Sequence, residues 1–366
     1  MKKEVITRQQ TVSIVILFIT GSSLILGISH NARQDSWIGF LIAFAAMLPT
    51  IYIYSRLMGR YPGKDVFEIC IEVFGPVVGR IVIALLAWYA IHLGALVLRN
   101  FSEFIQVTTF DMMPQTISLV SLVFLVIWAT RQGVEVLGRC SIVMAPVMII
   151  MVVITVLFLI KDMNVENLLP VGENLAAVPE DALIDFTFPL AEIVLLLGIL
   201  NSNQGDGKIG RPLLGGLAIG AAIISIGGFL RNTLVLGFPL ENDINFTSFS
   251  TVGIAIVGGF LSRIEGIVTA NLLMAGFVKV CVCLLAASKG LARLINVEDY
   301  RPFAAPLGLV MVALASILYQ YSIEMFAFVD VYKYYALPFQ LFIPVALAIG
   351  AEIKVLIKER KQKKAA

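Results

Sequence analysis

The stretch Thr187-Phe188-Pro189-Leu190-Ala191-Glu192 lies inside an apolar run over residues 182–202. It holds two features that a plain apolar helix avoids. Pro189 has no backbone N–H, and its ring clashes with the preceding turn, so a helix through it kinks or opens. Glu192 places an ionisable group well inside a run of about 20 residues, the length needed to cross a hydrocarbon layer. Ionisable groups at that depth are costly and mark a functional position by default. The run predicts a membrane-spanning helix broken at Pro189, with a carboxyl group at the break.

The composition of the whole chain agrees. Of 366 residues, 59% are hydrophobic and 14% charged, where soluble proteins carry about 45–50% and about 25%. The mean hydropathy is +0.92. This pattern excludes a secreted disulfide scaffold, a disordered tail and an ordinary cytosolic enzyme. The formal net charge of +2 offers no basic face for nucleic acid. The four cysteines form no CxxC pair, and two histidines give no metal signature. No nucleophile–base pattern, phosphate loop or cofactor motif is visible, so neither catalysis nor a cofactor or metal is expected.

Outward from residues 182–202, nine further apolar runs of spanning length lie at 11–29, 37–56, 77–99, 115–130, 140–160, 213–237, 266–288, 303–320 and 335–355. With ten spans and the N-terminus inside, all but seven of the 27 Lys and Arg residues fall in the N-terminal segment, alternate loops and the C-terminal tail. The seven are Arg33, Arg99, Lys161, Arg231, Arg263, Lys279 and Lys333. The positive-inside rule then places both termini in the cytoplasm. The expectation is one integral membrane domain over residues 1–366, ending in a basic tail at 356–366. Two segments read as amphipathic rather than spanning: Asp65 to Phe74 inside, and Phe246 to Glu265 outside.

Ten spans divide into five plus five, about 11–160 and 182–355. An inverted repeat predicts breaks in the first span of each half. Span 1 carries Thr20-Gly21-Ser22-Ser23 in its middle. Glycine tolerates non-helical dihedrals, and serines bond to local backbone. Unwound backbone at both breaks would hold the carboxylate or amine of a small zwitterion. The alternative is that Gly21 serves close helix packing and Pro189 is a simple kink.

Lys279 lies near the middle of span 8, too deep to reach water easily. Its charge must meet an acid, backbone carbonyls or water. It is either a built-in cation replacing a bound coupling ion, a proton-linked group or half of a structural charge pair, with Glu192 the candidate partner. In span 3, Tyr89, His92 and Leu96 share a helix face, and Arg99 and Glu103 form an i,i+4 pair near the outer end.

These residues resemble the endospore germination permeases, the B subunits of nutrient germinant receptors in the amino acid-polyamine-organocation transporter superfamily. The resemblance covers essentially the whole chain. It rests on Ile19–Leu24, Leu98–Phe104, Phe188–Glu192, the Leu261–Glu265 Arg/Glu motif, Ala286–Gly290 and Asp299–Pro302, in that order. Leu190 or Ala191 stands where relatives have glycine in the span 6 turn, and span 1 has Gly-Ser-Ser where many have Gly-x-Gly. Both departures narrow the space around a ligand.

The resemblance implies an all-α, LeuT-like five-plus-five inverted repeat with helices 1 and 6 broken. It implies a ligand pocket between spans 1, 3, 6 and 8. The ligand-binding residues expected are Gly21, Ser22, Ser23, Tyr89, Leu93, Phe188, Pro189, Leu190 and Ala191, with Glu192, Lys279, Arg99 and Glu103 as a charge or coupling network. The expected ligand is a small nutrient, an amino acid. The expected partners are receptor A and C subunits in the inner membrane of a bacterial spore. The alternative function is a secondary amino acid transporter, proton-coupled or exchanging.

Overall fold

Inside a bilayer every backbone N–H and C=O must be satisfied within its own segment, and for a chain this apolar the solution is helix. The computed structural model describes residues 4–27, 31–110, 112–200, 209–254 and 265–365, and helix dominates them, with no strand among these residues. The helices in order begin with α1 (Arg8–Leu26), α2 (Ser36–Arg60), α3 (Val66–Thr108), α4 (Gln115–Gln132) and α5 (Val134–Leu159). There follow α6 (Val178–Asp185), α7 (Gly210–Ile223), α8 (Arg231–Leu236), α9 (Phe238–Asp243) and α10 (Thr247–Ile254). The last are α11 (Gly266–Leu294), α12 (Arg301–Ile317), α13 (Ser322–Leu337) and α14 (Ile343–Ala365). Among the described residues, seven segments are long and apolar enough to cross a membrane: 33–60, 66–108, 115–132, 134–159, 210–236, 266–294 and 322–357.

Local chemistry sets the ends. Thr7 and Gln10 form a capping box at the start of α1, and Asp65 and Glu68 form one at the start of α3. The first nine residues of α3 form the amphipathic piece expected from sequence. Gly75 then turns the chain with φ 81°, ahead of Pro76, and the spanning part begins. Thr247–Ile254 of the second amphipathic segment is helical. Residues 255–264, with Arg263 and the Leu261–Ile264 part of the Arg/Glu motif, lie outside the described residues.

The core is built around α11, which packs along α1, α3, α4, α5 and α12. Ala275, Gly276, Ala286 and Ala287 are buried on it, and such small residues let helices approach closely. Outward faces of α4 and α5 carry exposed Phe124, Trp128, Val143 and Ile150, the apolar surface that lipid covers.

The structure corrects the expected break in span 1: α1 is one uninterrupted helix through Thr20–Ser23. The hydroxyls of Thr20 and Ser23 bond back to the carbonyls of Ile16 and Ile19, at 2.7 and 2.6 Å, and so stay within the helix rather than replacing it. Gly21 serves close packing. A Cβ there would stand 2.9 Å from the Ala275 carbonyl oxygen and 3.0 Å from Lys279 Cβ.

Span 6 is broken where expected. The helix α6 ends at Asp185, a wide π-type turn takes Phe186–Leu190, and a tighter 3-10 stretch follows over Ala191–Gly198. Phe188 sits in the turn with extended dihedrals, φ −135° and ψ 116°. The final apolar segment is also longer than the run at 335–355. Helix α13 starts at Ser322 and leads through a wide turn at Pro338–Phe342 into α14. Glu324, Asp330 and Lys333 lower the hydropathy of its first half, which is why that half reads as a loop in sequence.

Candidate functional site

The break at Pro189 brings Glu192 inward, and α11 brings Lys279 to meet it. Lys279 Nζ lies 2.6 Å from Glu192 Oε2, and both side chains are 0% exposed. The same ammonium donates to Ser22 Oγ of α1 at 3.0 Å. It also stands over the rings of Phe18 and Phe188, at 5.5 and 5.2 Å from their centroids. A charge so enclosed is tolerated because carboxylate, hydroxyl and aromatic faces replace its water.

A chain of hydrogen bonds leads away from Glu192. The Tyr332 hydroxyl of α13 donates to Glu192 Oε1 at 2.8 Å, and Tyr89 OH of α3 lies 2.9 Å from Tyr332 OH. Gln340 Nε2 donates to Tyr89 OH and to the Thr187 carbonyl, both at 2.7 Å. That carbonyl has lost its ordinary helical partner, because the Ala191 N–H bonds to Phe186 instead. Gln340 therefore closes a vacancy left by the helix break, as buried backbone acceptors require. The amide spends its two hydrogens on Thr187 and Tyr89, so the Tyr89 proton points to Tyr332 and the Tyr332 proton to Glu192. Tyr54 OH of α2 donates to the Gln340 carbonyl.

A small cavity of about 40 Å³ opens beside the carboxylate. Ser22 and Leu26 line it from α1, Leu93, Leu96, Val97 and Asn100 from α3, Phe188 and Glu192 from the span 6 break, Tyr319 from the segment after α12, and Met325, Phe328, Val329 and Tyr332 from α13. Of the expected ligand residues, Ser22, Leu93 and Phe188 face this cavity. The others do not line it. Gly21 packs on α11, the Ser23 hydroxyl is turned to Ile19, and Tyr89 belongs to the hydrogen-bond chain. Pro189, Leu190 and Ala191 are buried behind the break.

Arg99 and Glu103 form their pair, at 3.2 Å, but in a separate network. Gln115, the first residue of α4, accepts from Arg99 Nη1 at 2.7 Å and donates to Glu103 Oε2 at 3.0 Å, and Ser322 at the start of α13 donates to Glu103. This network ties together the ends of three helices. It is not joined to Lys279 and Glu192 by any bond among those described.

The sequence reading missed the four α13 residues and Gln340. Met325, Phe328, Tyr332, Tyr335 and Phe339 recur at intervals of three and four, an apolar-aromatic stripe that marks a helix face. The charged residues between them hid it.

A third buried cluster lies on α8–α10. Arg231 bonds Thr155 Oγ1 at 3.0 Å and Asn232 Oδ1 at 2.9 Å, Asn232 donates to Ser248 at 3.1 Å, and Thr233 donates to Glu241 Oε2 at 2.7 Å. Burial pushes the Glu241 carboxyl up to about 7.

Comparison with known proteins bears on the family and the fold. A family model described as spore germination protein matches residues 5–324. Spore germination protein KB of Bacillus subtilis (strain 168) is 28% identical over 372 residues, covering 99% of this chain and 98% of that one. Spore germination protein YndE of the same organism is 19% identical over 318 residues, covering 84% and 85%. Among solved structures, a nucleobase-cation-symport-1 family transporter, closed with bromovinylhydantoin bound, superposes with TM-score 0.66 at 13% identity, covering 90% of this chain and 75% of that one. A Na+-coupled sialic acid symporter in a substrate-bound outward-open state gives TM-score 0.66 at 11% identity, covering 92% and 79%. At these identities the likeness shows the fold, that of the LeuT-like transporters.

Proposed function

We propose that this chain, which belongs to the spore germination protein family, is the B subunit of a nutrient germinant receptor and binds a small nutrient in the cavity beside Glu192. It is an integral membrane protein of the spore inner membrane. The observation that carries the proposal is the cavity itself. It sits at a helix break inside the bundle and is contributed by α1, α3, span 6 and α13, elements whose relative positions a ligand can bias. In this reading the chain is a single membrane domain of ten spans in two inverted halves, with both termini cytoplasmic. Support comes from helical structure in the described part of each of the ten apolar runs and from the alternation of Lys and Arg between loops.

The longest connections between spans are short, so a bound-state signal leaves through neighbouring subunits. The partners in this reading are the receptor's A and C subunits. Spores whose own copy is replaced by Leu93→Trp, which fills the cavity from α3, lose the nutrient response while keeping normal amounts of the protein. A full response from those spores contradicts the proposal.

A second reading is a secondary transporter, proton-coupled or exchanging. Its support is the likeness to two symporters and the buried Lys279–Glu192 pair, which could exchange a proton. Flux of a bound ligand across a sealed membrane separates the two.

A further inference from the structure

We infer that the cavity beside Glu192 selects a neutral small molecule bearing a hydroxyl group, held between the Glu192 carboxylate and Ser22, and turns away free carboxylates. This rests on the reading of that cavity as the ligand site, and it names the ligand's chemical class.

The lining decides what a ligand can meet. Glu192 is the one carboxylate that lines the cavity, and no Lys, Arg or His lines it among the described residues. Lys279 balances that charge from behind: it is fully buried, absent from the lining, and covered by Ser22 and Phe188. The pair therefore presents its negative end to the cavity.

The donors near Glu192 are already committed. The Tyr332 proton is held by Glu192, and the Tyr89 and Gln340 protons are held in the chain behind it. An ionised carboxylate accepts at about four lone-pair positions. Lys279 and Tyr332 take one each, so Glu192 keeps acceptor capacity at the cavity wall, which a ligand reaches by displacing the side chains that now close over the carboxylate. Ser22 Oγ accepts from Lys279, which leaves its own O–H free to donate. A ligand hydroxyl meets both needs, donating to Glu192 and accepting from Ser22.

A carboxylate meets neither. It would face Glu192 with like charge, in a mainly apolar cavity whose other polar side chains, Asn100, Tyr319 and Tyr332, carry no positive charge to offset it. The usual backbone cradle for a carboxylate is also missing on the span 1 side. Helix α1 is uninterrupted there, and its N–H groups are spent within the helix. This departs from the zwitterionic amino acid expected from the sequence, because that expectation needed α1 to be unwound.

The test uses the full chain in lipid nanodiscs and three probe pairs, each differing only in –CH2OH against –COO⁻. The pairs are 3-pyridinemethanol and nicotinate, glucitol and gluconate, and 2-methylpropan-1-ol and 2-methylpropanoate, titrated by calorimetry. In every pair that binds, the alcohol binds at least tenfold more tightly, and both Leu93→Trp and Val329→Trp abolish the binding. A carboxylate that binds as well as its alcohol, and is lost in those variants, overturns the selectivity and leaves the cavity as the site. No saturable binding in any pair, or binding that survives both variants, overturns the cavity reading and this inference with it.

Discussion

Lys279 of α11 and Glu192 of the span 6 break form an ion pair at 2.6 Å from which water is wholly excluded. Two charges taken out of water repay that cost only through each other and through added hydrogen bonds, here from Tyr332 to Glu192 and from Lys279 to Ser22. Removing either partner leaves the other uncompensated. Lys279→Met alone and Glu192→Leu alone each destabilise the protein by about 3–5 kcal/mol, whereas the double variant recovers most of the loss. Chemical unfolding of the purified variants checks this. A double variant as unstable as the sum of the singles contradicts it.

Gly21 is fixed by the same close approach. Its missing side chain lets α1 lie against Lys279 and Ala275. Gly21→Ala forces the two helices apart and costs about 1–3 kcal/mol, the usual penalty of overpacking a filled interior. The melting temperature falls accordingly. An unchanged melting temperature would show that the helices do not touch there.

Tyr332→Phe removes the donor to Glu192 Oε1 and the acceptor for Tyr89, with little change of volume. A hydrogen bond to a charged group is worth about 1.5–3 kcal/mol. The variant loses stability in that range, and ligand affinity shifts with it because Tyr332 lines the cavity. The corresponding Tyr335→Phe, whose hydroxyl meets only the Trp88 N–H and no charged group among the described residues, costs much less.

Glu241 gives a pH dependence with a definite sign. Its carboxyl titrates near 7 in the folded chain, against an ordinary 4.5. The folded state therefore holds more protons than the unfolded one between these values. The stability contributed by the protonated form is complete below about pH 4.5 and is lost as pH rises through about 7. Hydrogen exchange in α9 and α10 speeds up over that interval, and Glu241→Gln removes the dependence. Exchange that slows as pH rises, after correction for the intrinsic rate, contradicts the assignment.

How far the sequence carried depends on the kind of signal. Apolar run length is strong where a span is clean, and seven segments among the described residues are long and apolar enough to cross a membrane. The break at Pro189 was legible because proline acts locally, through a missing N–H and a steric clash. Gly21 was ambiguous for the opposite reason. Glycine permits unwinding without forcing it, and a tertiary contact with Lys279 decided that it packs. Lys279 and Glu192 were each legible as costly intramembrane charges, but their meeting is a matter of three dimensions. Met325, Phe328, Val329 and Tyr332 were missed because neighbouring charged residues masked the hydropathy of α13, although the aromatic stripe was there to be counted.

On the proposed reading this chain senses a small molecule with a transporter's fold and does not carry it across. The most direct measurement places the purified protein in sealed liposomes and follows equilibrium binding and uptake together, using radiolabelled glucitol, 3-pyridinemethanol and a set of amino acids. A sensor gives saturable binding that Leu93→Trp abolishes, with no time-dependent accumulation inside the vesicles. Accumulation that is driven by an ion gradient and stops when the gradient is collapsed would contradict it and make the chain a transporter.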